Sequence, residues 1–201
     1  MKTMKKLTAA FLALLFVFSP LAGVPFELPV FAATSGTTGD CTWTLDGTHL
    51  TISGSGAMGD YYYSSAPWGR SIISVTIENG VTTIGYSSFS DCDSLMSVDI
   101  GDSVTTIGDW AFSDCDSLMS VDIGNNVTTI GDSAFQYCGS LTSVTIGDSV
   151  TTIGRQAFFS CTSLKSVTIG DSVTTIEDKA FYGCNSLTSV HVKDIAAWCI
   201  I

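Results

Sequence analysis

The stretch VTTIGYSSFSDCDSLMSVDIGDS, residues 81–103, is followed without a gap by four variants of itself. They begin at Val104, Val127, Val150 and Val173, and the last runs to Ile195. A 23-residue phrase cannot bury an apolar face alone, so the five copies must stack into a solenoid with one shared core. The columns that stay apolar name that core. They are the opening Val, the Ile three residues later (Ile84 to Ile176), a Phe column (Phe89, Phe112, Phe135, Phe158, Phe181) and a Leu column (Leu95 to Leu187).

Ser97-Val98-Asp99-Ile100 alternates polar and apolar, which predicts a short half-buried strand in each copy and, once stacked, a parallel sheet. Val-Thr-Thr-Ile is a second extended segment, turned by Gly85, Gly108, Gly131 and Gly154. The Ala-Phe-x-x-Cys segment is expected to form one helical or 3-10 turn. With Val75 and Ile77 already in the strand pattern, the repeat region is set at residues 74–195. The outward strand positions form a polar ladder: Ser97, Asp99, Ser120, Asp122, Ser143, Thr145, Ser166, Thr168, Ser189 and His191. These are the candidate binding residues, on a face that runs from acidic to neutral.

VTTIGDSAFQYCGSLTSVTIGDS, residues 127–149, resembles the bacterial BspA-like leucine-rich repeat, with its Leu-x-x-Val/Ile-x-Ile strand, Ile-Gly turn and Ala-Phe-x-x-Cys. CTWTLDGTHLTISGSGAM through APWG looks like the region that precedes such repeats in secreted proteins of gut bacteria. The chain departs from the family in having Gly101, Gly124, Gly147 and Gly170 where Pro often follows the strand, and Glu177 at the last turn glycine. The resemblance implies a leucine-rich repeat solenoid, mainly β, and an adhesin-like binder of host protein, glycan or neighbouring cells.

Residues 33–73 are read as an N-terminal cap. Within it Ala33 to Asp40 is expected to be a mobile tether, alternation around Asp46-Gly47 gives a β-hairpin, and a Gly- and Tyr-rich loop covers the open end of the stack. Gly54, Gly56 and Gly59 spell G-x-G-x-x-G, with Glu78 downstream. The dinucleotide reading needs a helix straight after the third Gly, and Tyr61, Tyr62, Tyr63 and Pro67 provide none.

Lys2, Lys5 and Lys6 precede an apolar run over residues 7–18, and Val30-Phe31-Ala32 offers a cleavage site, so residues 1–32 are read as a signal peptide. The run is too short for a permanent span, and no lipid-bearing Cys follows Leu21-Ala22-Gly23. The chain carries a net charge of −11, and cleavage leaves 5 basic and 18 acidic residues, a net −13. That excludes nucleic acid and disfavours anionic lipid. An extracellular or cell-surface location follows.

Cys92, Cys115, Cys138, Cys161 and Cys184 share one repeat position, so their parallel Cβ vectors do not suit disulfides. They are expected to be buried free thiols. Cys41 and Cys199 lie at opposite ends of the chain. His49 and His191 stand alone, no Ser sits in a nucleophile motif, and no metal, cofactor or catalytic set is expected. Asp91, Asp93, Asp114 and Asp116 make a second acidic group, read as solvated or a weak cation site. Asn126 opens a glycosylation sequon only in a eukaryotic host. Residues 196–201 make an incomplete C-terminal cap, which suggests a fragment of a longer surface protein. The function expected is a protein or glycan interaction module without catalysis; the alternative is a spacer that displays a further domain.

Overall fold

The computed structural model describes residues 34–62 and 65–192. The signal segment, residues 193–195 of the fifth copy, Cys199 and the expected C-terminal cap lie outside the described residues.

Each copy contributes two strands, and like residues stack on like. On one side Ser143–Ile146 pairs in parallel with Ser120–Ile123 and with Ser166–Ile169, Ser over Ser and Val over Val. On the other, Thr106–Ile107, Thr129–Ile130, Thr152–Ile153 and Thr175–Ile176 continue a parallel sheet that starts with Gly56–Ala57 and Val81–Ile84. Between the sheets the five Phe rings stack with centroids 5.0–5.2 Å apart and planes within 9°. The first four rings are fully buried, as are the central Val, Ile and Leu columns. This close-packed ladder is the core.

Polar columns fasten one coil to the next. Thr105, Thr128, Thr151 and Thr174 each donate their hydroxyl to the backbone carbonyl of the threonine one coil earlier, at 3.1–3.3 Å. The described cysteines are free and buried. They are also more than small hydrophobes: Cys115, Cys138, Cys161 and Cys184 donate their thiols to the Phe carbonyl of the preceding coil at 3.1–3.2 Å.

The Ala-Phe-x-x-Cys segment is not helical, and no helix occurs among the described residues. Ser87, Trp110, Ser133, Gln156 and Lys179 have φ between 48° and 58°, and four residues later Asp91, Asp114, Tyr137 and Ser160 have φ between 56° and 59°. Left-handed residues on both sides of each Phe cannot belong to a right-handed helix. The turn alternates instead between bonds inside the coil, such as Cys92 N to Phe89 O (3.3 Å), and bonds to the next coil, such as Phe89 N to Ala111 O (2.8 Å).

The expected tether is also a strand. Ser35–Thr38 pairs antiparallel with Cys41–Asp46, and buried Thr38 accepts from Gly59 N and the Tyr61 hydroxyl at 3.0 and 2.8 Å. Cys41–Asp46 and His49–Gly54 form the hairpin, with Gly47 in the loop at φ 60°. His49–Gly54 then pairs in parallel with Ser74–Ile77, so the cap is the first rung of the repeat sheet.

The repeat count is larger than five. Asp60 Oδ1 accepts Tyr86 N at 2.8 Å, as Asp109 accepts Asp132 N and Asp132 accepts Arg155 N two and three coils on. Trp68 lies on Phe89, and Ile72, Val75 and Ile77 fill the apolar columns. This coil is hidden in the sequence because Trp replaces Phe and because twelve residues separate Asp60 from Ile72, where nine separate Asp109 from Leu118. The glycines of G-x-G-x-x-G serve close packing: a Cβ on Gly56 would meet the Asp40 side chain at 2.8 Å, and one on Gly59 the Gly39 backbone nitrogen at 3.1 Å.

Candidate interaction surface

The outward residues of the strands stand where alternation places them. Ser97, Asp99, Ser120, Asp122, Thr145 and His191 are exposed; Ser143, Ser166, Thr168 and Ser189 are half-buried. Among the described residues no group of three or more His, Cys, Asp or Glu is arranged to hold a metal. His49 Nδ1 is 2.7 Å from Ser74 Oγ, and His191 Nε2 is 2.8 Å from Ser189 Oγ, both on the exposed face. In the second acidic group, Arg70 pairs with Asp91 at 3.6 Å and Ser113 Oγ donates to Asp114 at 2.6 Å. Burial raises the Asp114 carboxyl above its ordinary value; the Ser113 bond opposes this, and Asp91, Asp116 and Asp93 add to it.

The expected ladder is not continuous. Ser97–Ile100 pairs with Ser74–Ile77, and Ser120–Ile123 pairs with Ser143–Ile146, yet the two central strands do not pair with each other. Their Cα atoms still come within 8 Å. Behind this joint the solenoid is closed, since Thr83 stays in register with Thr106 and Phe89 stacks on Phe112. A Cβ on Gly147 or Gly170 would collide with the carbonyl of the glycine one coil earlier, whereas one on Gly124 would meet nothing within 4 Å. The joint is therefore open on the strand side alone. It falls between the two adjacent coils that both carry aspartate, Asp99 and Asp122, and like charges directly opposed weaken strand pairing.

Sequence reasoning missed what flanks the joint. Ile73, Met96 and Met119 occupy one column just before the strands and are 41%, 43% and 47% exposed. The next coils put Thr142, Lys165 and Thr188 there. Thr142 Oγ1 donates to Met119 O at 3.1 Å, a tie that a thioether cannot make. Val98 and Ile100 are half-buried, while Val121 and Ile123 are buried. A groove of about 520 Å³ is lined by Glu78, Asp99 and Asp102 together with Ile77 and Ile100. The signals available in the sequence were the Asp-over-Asp register and the change from Met to Thr.

The BspA type leucine rich repeat region matches residues 60–193 in six copies, beginning at the Asp60 coil. The chain belongs to this family. The BspA-type chain is similar to a leucine-rich repeat protein from Eubacterium ventriosum, 30% identical, TM-score 0.66, covering 81% of this chain and 45% of that one. It therefore spans less than half the length of that relative. A leucine rich repeat protein of T. pallidum is 25% identical, TM-score 0.62, with 83% of both chains covered. A leucine rich cell surface protein from Faecalibacterium prausnitzii is 27% identical, TM-score 0.54, with 82% of this chain and 56% of that one covered. No functionally curated protein matches.

Proposed function

We propose that this BspA-type chain works outside the cell as a non-catalytic, adhesin-like module that binds an extracellular protein or glycan through its strand face. The observation that carries the reading is the division of labour inside the repeat. The central Val, Ile, Phe, Leu and Cys columns are consumed by the core, and the Ser, Thr and Asp positions of the strands are the ones repeated on a surface. The signal segment read at residues 1–32 supports export, and the cell-surface description of the Faecalibacterium protein supports the same location here.

The test is binding of residues 33–201 to immobilised matrix proteins and mucin glycans. Saturable binding is expected, weakened by Asp99→Lys combined with Thr145→Arg. A folded chain that binds none of them overturns the reading and leaves the repeat as a spacer.

A further inference from the structure

The strand face has two unlike halves. Toward the C-terminus it is tied and its outward strand positions carry no acid, with Thr145 and Thr168 outward and Thr142 bonded to the coil before it. Toward the N-terminus it has an open joint, a ridge of Ile73, Met96 and Met119, and the acids Glu78, Asp99, Asp102 and Asp122. Two of the six coils have exchanged a fastening residue for an exposed methionine. Stacking does not ask for that exchange.

From these features we infer that the open joint between Ser97–Ile100 and Ser120–Ile123 docks an extended cationic segment of a partner protein, with lysine or arginine alternating with apolar residues. The inference rests on the reading of the strand face as an interaction surface and names its partner. The chemistry on each side matches. Basic heads reach Asp99 and Asp122, whose mutual repulsion a cation relieves, while their aliphatic stems and the apolar residues lie on Met96, Met119, Val98 and Ile100. With 18 acidic against 5 basic residues after residue 32, the field of the whole protein attracts such a segment. An anionic membrane would be repelled by it.

The probe is a fluorescein-labelled peptide with lysine at alternate positions and leucine or threonine between, titrated into residues 33–201 and followed by anisotropy. Saturable binding that weakens with salt is expected, with Kd raised about tenfold by Asp99→Asn with Asp122→Asn, and again by Met96→Ser with Met119→Ser. Asp171→Asn, which removes one charge from an exposed loop of a later coil, should leave Kd unchanged. Circular dichroism confirms that each variant is folded. Equal weakening by Asp171→Asn, or no saturable binding of the peptide, overturns the inference. If matrix or mucin binding persists in that case, the broader function stands and only the cationic partner is lost; if it is absent too, both fall.

Discussion

The indole of Trp68 lies over the ring of Phe89, centroids 5.5 Å apart and planes 29° from parallel, in the place a phenylalanine fills in every later coil. Trp43 and Tyr61 meet the same indole edge-on at 6.1 and 5.2 Å, which joins the hairpin cap to the core through one side chain. Trp68 Nε1 is buried and has no hydrogen-bond partner among the described residues. The indole is held for its apolar area and not for its N–H.

Trp68→Ala should cost about 3–5 kcal/mol and uncover the end of the Phe ladder. Trp68→Phe, which restores the column residue and removes the unpaired donor, should cost no more than about 1 kcal/mol. Urea unfolding of the two variants checks the contrast.

The thiol column makes alkaline pH the weak side of this protein. Burial pushes Cys92 and Cys138 up to about 12, with Arg70 partly opposing the shift at Cys92. Their stabilisation is complete below about pH 9, where the unfolded thiols are also protonated, and is lost as pH rises toward 12. Each thiol contributes a slope of roughly 1.4 kcal/mol per pH unit inside that window. Melting temperatures should fall steeply there, and iodoacetamide at pH 8 should leave Cys92, Cys115 and Cys138 unmodified until the chain is unfolded.

Asp114 carries the opposite opportunity. Its carboxyl is raised by burial and by neighbouring acids, with the Ser113 bond opposing, so folding makes its charged form less favourable than it is in the unfolded chain. Asp114→Asn keeps a residue that tolerates φ 59°. It should stabilise at pH 7 by no more than ~1 kcal/mol, because water screens a partly exposed group. The gain should vanish in acid, once Asp114 is protonated in both states.

At the joint, Asp122→Thr gives the strand the residue found at Thr145 and removes the opposed charge. It should raise stability by about 0.5–1 kcal/mol through restored pairing. Differential scanning calorimetry measures this directly.

Stacking, the apolar columns and the identity of the ladder residues were legible in the sequence, because a column repeated in five copies reports burial that a single segment would not. The coil at Asp60 was not, since its longer excursion before Ile72 breaks the period. The left-handed turns were hidden for a related reason. Ser, Trp, Gln and Lys at one of their positions carry no glycine signal, and the backbone is held there by bonds to the next coil. The joint was half legible: Asp99 over Asp122 is plain in the alignment of the copies, but an opened sheet follows only once the glycine contacts and strand pairing are seen.

Hydrogen exchange at Met119 tests the open joint most directly. Met96 N donates to Ile73 O at 2.8 Å, Thr142 N to Met119 O at 2.9 Å and Lys165 N to Thr142 O at 2.9 Å, whereas Met119 N meets no backbone carbonyl among the described residues. The Met119 amide should exchange roughly a hundredfold faster than those of Met96, Thr142 and Lys165. Equal protection at all four positions would mean a closed, continuous ladder and would contradict the docking site placed there.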